Sequence, residues 1–138
     1  MLAVKSNAHA VLLAVIAVLL AGDPVAAHHS FAAEFDSEKP VTLKGTVVKW
    51  EMMNPHGWIT MDVTGLDGGT TRWMVETSNP NGLMRLGWSK RSLKAGDGIV
   101  VDAYRAKDGS NTANAARVTL ADGRKVFAGS SGTPAGAP

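Results

Sequence analysis

Three histidines are this chain's clearest candidates for coordination chemistry. His28 and His29 stand side by side, His56 follows in Asn54-Pro55-His56, and the fourth histidine, His9, lies in an apolar N-terminal stretch. Imidazole is the commonest transition-metal ligand among side chains. If a leader is removed after Ala27, His28 offers its α-amino nitrogen and its ring together, a chelate suited to Cu(II), to which His29 or His56 adds a further nitrogen. Removal after Ala26 makes His29 the third residue instead, where an amine, two backbone amides and an imidazole hold Cu(II) or Ni(II) in a square plane. In the plainer reading the terminal pair is solvated and His56 holds its bend by a side-chain to backbone hydrogen bond. Both readings stand on the sequence.

The neighbouring residue types widen this set without deciding it. Glu34, Asp36 and Glu38 can supply an oxygen ligand or accept an imidazole N–H, or can form an acidic solvated arm. Met52 and Met53 suit the soft ion Cu(I), although methionine in a β-rich chain more often fills irregular core gaps. Of the four tryptophans, Trp73 reads as core and Trp88 as a plug under a helix. Trp58 and Trp50, with Asn54, are left as a face for a small ligand or a protein partner.

Composition excludes several functions. The net charge is +2 and the basic residues gather only at Lys90, Arg91 and Lys94, so no nucleic-acid partner is expected. The chain has no cysteine, which removes thiolate metal sites, cysteine nucleophiles and disulfides together. It has no phosphate-binding glycine loop, no serine elbow and no HExxH. The carboxylates Glu51 and Asp62 carry no spacing that marks a catalytic pair. An enzyme is not expected.

Residues 1–27 read as a signal peptide, with Lys5 as the positive head, Ala10 to Ala21 as an apolar run and Val25-Ala26-Ala27 before the cut. The apolar run is too short to span a bilayer as a helix, although an uncleaved anchor is the alternative. Cleavage predicts a periplasmic or secreted protein of residues 28–138, with no membrane association afterwards. That length suits one domain with its own core.

The elements that must position the histidines follow from periodicity. Residues 28–40 form an arm that pins Phe31 or Phe35 onto the body. Val41, Leu43 and Val47 alternate with Thr42, Lys44 and Thr46, the period of a half-buried strand. Gly45 interrupts it where a strand serving two sheets would bend. Ile59, Met61 and Val63 mark a second strand, 71–77 a third with Trp73 and Val75 inward, 99–104 a fourth and 115–120 a fifth. Asn79 caps a short helix that opens on Pro80 and ends at Gly87. Asp122-Gly123 turns the chain into Lys125-Val126-Phe127. Three strands, a helix and two more strands predict a mainly β domain over 41–128, a five- to six-stranded OB-like barrel with one short helix between strands 3 and 4. The Gly/Ser/Pro/Ala-rich tail, 129–138, is expected to be disordered.

The motifs His28-His29-Ser30-Phe31, Glu34-Phe35-Asp36, Asn54-Pro55-His56, Gly87-Trp88, Leu93-Lys94-Ala95-Gly96-Asp97 and Arg105 to Ser110 carry a resemblance. From His28 to about Gly129 the chain resembles a family of small exported bacterial proteins known as a domain of unknown function. The resemblance implies a single domain and brings no activity, substrate or active site. The expectation is a small exported binding protein holding copper through His28, His29 and His56. The alternative is a metal-free interaction module that uses the Asn54 to Trp58 corner. Twelve extended residues reach about 40 Å, and a domain of this size has a radius of gyration of about 13 Å, so the arm can reach His56.

Overall fold

The computed structural model describes residues 31–130 and 132–136. Its first strand, β1 (Phe35–Glu51), carries two successive ladders of one sheet. From Phe35 to Thr46 it pairs with β4 (Gly98–Ala106), and from Gly45 to Glu51 with β2 (Trp58–Thr64). The two ladders overlap at Gly45 and Thr46, where the chain turns from one to the other. A Cβ on residue 45 would stand 2.1 Å from the Asp62 carbonyl oxygen. Only glycine lets the neighbouring backbone come this close.

β2 continues antiparallel into β3 (Thr70–Glu76), and β4 into β5 (Thr112–Thr119). The ring closes through a short parallel pairing of β3 with β5, from Met74↔Thr112 to Glu76↔Asn114. Around it the strands run β3-β2-β1-β4-β5 and back to β3, with β6 (Lys125–Phe127) added as a hairpin on β5. This is the OB-like order read from the sequence. The short helix α1 (Pro80–Arg85) lies between β3 and β4, and Asn79 Oδ1 accepts from the Gly82 N–H at 2.8 Å to cap it. Gly87 follows the helix with a φ of 90°. Leu83 fills one end of the ring beside Trp88, whose indole N–H donates to the Phe127 carbonyl oxygen.

Inside the ring, Leu43, Val47, Ile59, Met61, Trp73, Val75, Val101 and Val118 form the main core. A bulge between Val47 and Lys49 shifts the phase of β1, since Val47 stands opposite Met61 while Lys49 stands opposite Thr60. One inserted residue sends every later side chain to the other face. Trp50 therefore points inward beside Ile59.

A second apolar cluster forms on the outer face of β4 and β5, where Phe31 and Phe35 pack with Tyr104, Ala106 and Ala116. Phe31 meets Tyr104 edge to face, with ring centroids 5.7 Å apart. The expected pinning by Phe31 or Phe35 thus involves both. The arm is shorter than residues 28–40, because 31–34 are helical and β1 already begins at Phe35. Pro40 does not stop the strand, because there β1 pairs only with β4 and its missing N–H breaks no second ladder. Lys107 anchors the helical turn, its amide donating to the Glu34 carbonyl at 2.9 Å and its ammonium to that of Ala32.

The tail also departs from its composition. Gly129 and Thr133 are buried, and a Cβ on residue 129 would meet the Thr133 side chain at 2.7 Å. Arg117 donates to the Ala135 carbonyl oxygen at 3.3 Å. Low apolar content predicted disorder, but specific polar contacts to β5 hold the segment.

If the crossing at Gly45 sets the bend, Gly45→Ala will lower the unfolding free energy by about 2 kcal/mol or more, as overpacking against backbone does. Urea denaturation of the two proteins measures it, and a loss below about 0.5 kcal/mol would show that the strand can bend elsewhere.

Candidate functional site

The corner between β1 and β2 is held against the end of β3 by its backbone. Gly57 N–H donates to the Ser78 carbonyl at 3.0 Å and its own carbonyl accepts from Thr77 N–H at 2.8 Å. A Cβ on residue 57 would lie 2.5 Å from Thr77 Oγ1. The preceding Asn54–Pro55 peptide is cis. This docking sets His56 beside the last residue of β3, with its Nδ1 3.3 Å from Glu76 Oε1.

Glu76 is only 6% exposed, whereas Met74, two residues earlier on the same outer face, is 38% exposed. The difference lies in what covers them. Glu76 pairs across the ring closure with Asn114, itself 1% exposed, and Asn114 Nδ2 donates to Glu76 Oε1 at 3.2 Å. Thr133 from the tail closes over this pair, its hydroxyl donating to Asn114 Oδ1 at 2.6 Å. His56, with a side chain 27% exposed, is the end of this row that faces solvent.

Burial pushes the Glu76 carboxyl above its ordinary value. The positive field of His56 works against that rise, the Glu34 carboxylate adds to it, and the Asn114 N–H opposes it. An imidazole with a buried carboxylate behind Nδ1 is the arrangement that orients a metal-ligating histidine and raises the basicity of its other nitrogen. A cleft of about 330 Å³ opens beside the ring, lined by His56, Ser78, Asn79, Leu86, Phe127 and Ser130.

His28 and His29 lie outside the described residues. Among the described residues no three histidine, aspartate or glutamate side chains converge on a point where an ion could sit. The Glu76 carboxylate is a partner for His56 that its sequence neighbourhood does not suggest. Asn54 is exposed and lines an open polar groove with Pro55, Asn79, Asn81 and Arg85. Trp58 is half-buried on the outer face between Glu51 and Glu76.

Trp50 does not join that face. Its ring lies 5.5 Å from that of Trp88 and its N–H donates to the Ser89 carbonyl, because the bulge turns it inward. Met52 packs against the core and Met53 is exposed. Glu51 is paired with Lys49, and Asp62 with Arg72, whose hydrogen bonds hold the Asp62 carboxyl below its usual range. Each carboxylate is thus matched by its own cation.

Glu76, Asn114 and Thr133 carried no mark in the sequence. Glu76 occupies an outward strand position and Thr133 lies in a segment without periodicity, so only the ring closure joins them.

A family model described as a family of unknown function (DUF6152) matches residues 15–115. The chain belongs to that family. No curated protein and no solved structure matches it. The matched span holds His56, Glu76 and Asn114, three of the four members of the polar row, and stops short of Thr133. The family brings a domain identity and no chemistry, which leaves the geometry around His56 to carry the functional reading.

A carboxyl whose pKa is raised on folding stabilises the fold below its unfolded value, here 4.5, and that contribution is lost as pH rises through the folded value. Glu76→Gln keeps the shape and an acceptor for Asn114 but cannot ionise. Its melting temperature relative to wild type will therefore climb as pH is taken from 4.5 to neutrality. A difference independent of pH in thermal scans would contradict the burial of a carboxylate.

Proposed function

We propose that this chain is an exported, single-domain binding protein that captures a transition metal, copper first, through His56 and the histidines of the processed N-terminus, His28 and His29. The observation that carries the reading is the solvent-facing imidazole of His56 backed at 3.3 Å by the buried carboxylate of Glu76. His56 contributes Nε2, His28 its α-amine and ring, and His29 a third imidazole, a nitrogen set suited to Cu(II). Export rests on the leader-like composition of residues 1–27. No helix among the described residues is long and apolar enough to cross a membrane.

Chain reach supports the joint site. Phe31 packs on Tyr104, Tyr104 stands opposite Asn114, and Asn114 stands opposite Glu76, which touches His56. Two strand spacings of about 5 Å each separate Tyr104 from Glu76. Residues 28–30 add about 10 Å of extended chain before Phe31, and the Glu34 carboxylate that follows it acts on Glu76 beside His56. The rival reading, a metal-free module recognising a ligand or partner at the corner, has the open groove of Asn54, Asn79, Asn81 and Arg85 in its favour.

Isothermal titration of correctly processed protein with Cu(II) separates the two. The expected dissociation constant is below about 10 µM, a binding free energy stronger than about −7 kcal/mol. His56→Ala and removal of His28 and His29 each weaken it, and Glu76→Gln weakens it about 10- to 100-fold. Weaker binding in the wild type, or binding indifferent to His56, rules the metal reading out.

A further inference from the structure

The polar row does not stop at Glu76, and its far end lies in the C-terminal tail. Thr133 Oγ1 spends its one proton on Asn114 Oδ1 at 2.6 Å while accepting from the Ser130 amide at 3.1 Å. Its orientation is therefore set from both sides. An asparagine side chain can present either an oxygen or an NH2 group to a given neighbour, and the choice follows from its partners. With Oδ1 held by Thr133, Asn114 turns Nδ2 toward Glu76 Oε1, the same oxygen that faces His56 Nδ1.

We infer that Asn114 and Thr133 are positioning residues for His56, and that the tail around Thr133 is a strap setting which ring nitrogen of His56 faces outward with a free lone pair. The inference rests on the metal-binding reading for its use, but the geometry it describes exists in the metal-free protein. With Nδ2 donating a hydrogen bond to Glu76 Oε1, the carboxylate stays in place beside His56 and keeps the ring proton on Nδ1. Nε2 is then the unprotonated, ligand-ready nitrogen. Without the Thr133 hydroxyl, the buried Asn114 Oδ1 loses its donor, so the amide is no longer held in register with Glu76 and the carboxylate that backs His56 loses its fixed position.

Three contacts make the tail a strap rather than a passing segment. Ser78 N–H donates to the Ala128 carbonyl at 2.8 Å, tying the start of the tail to the residue after Thr77 at the end of β3. Ser130 and Thr133 close a small loop between their hydroxyls at 3.2 Å. Arg117 reaches the Ala135 carbonyl from the outer face of β5. The cleft beside His56 has Gly129 and Ser130 of this strap as one wall.

The test is nitrogen NMR of the His56 ring in the metal-free full mature chain near neutral pH, comparing wild type with Thr133→Val, Thr133→Ser and Asn114→Ala. Wild type and Thr133→Ser are expected to hold mainly the Nδ1–H form. Thr133→Val and Asn114→Ala are expected to shift toward a mixed or Nε2–H population and to weaken Cu(II) binding severalfold. A folded Thr133→Val with the wild-type tautomer ratio overturns the inference. If Thr133→Val does not fold, a chain ending at Gly132 carries the same comparison. Failure of the wild-type chain to bind Cu(II) removes the metal reading alone, because the tautomer ratio is read without metal.

Discussion

The parallel contact that closes the ring between β3 and β5 is the constraint on which the site depends. It is only three residue pairs long, and its last pair sets Glu76 against Asn114. A carboxylate at the end of an edge strand would ordinarily be solvated. Here the partner strand carries an asparagine at the matching position and the tail lies over both. The cost of burying a polar group is reduced because it is hydrogen-bonded. Closure thus does two things with one set of contacts: it completes the ring and it makes a dry acceptor for a histidine.

The histidine reaches that acceptor because the β1–β2 corner is docked on the end of β3 by backbone rather than by side chains. Gly57 has no room for a Cβ, and the hydrogen bonds on either side of it continue the β2–β3 ladder past Trp58. His56 is the next residue out. It inherits its position from the ladder, and its freedom from lying at the ladder's end, partly exposed. Raised proton affinity at Glu76 follows from the same burial. Burying an ionisable carboxyl at this point gives up some stability at neutral pH.

The resemblance read from the motifs proved to be family membership, and the strand order, the capped helix and the bend at Gly45 were all legible before any coordinates. What was misread has two physical sources. A bulge after Val47 reversed the faces of β1, which placed Trp50 in the core instead of beside Trp58. Local alternation does not place the insertion, because Val47 and Val48 are adjacent and both apolar, so either can be read as the inward residue ahead of Lys49 and Trp50. The tail was misread because composition reports how much apolar surface a segment can bury, and residues 129–136 are held instead by hydrogen bonds to partners far along the chain.

By itself the sequence determined the elements: period-two strands, glycine turns, the Asn79-Pro80 helix start and a glycine where two backbones cross. These are properties of short windows, decided by sterics and by the alternation of apolar side chains. Tertiary structure alone decided that His56, Glu76, Asn114 and Thr133 form one row. They come from the β1–β2 corner, the end of β3, β5 and the tail, and nothing in their spacing marks them as neighbours. Whether a glutamate is solvated or buried depends on what lies over it, and that is known only once the ring has closed and the tail has crossed it.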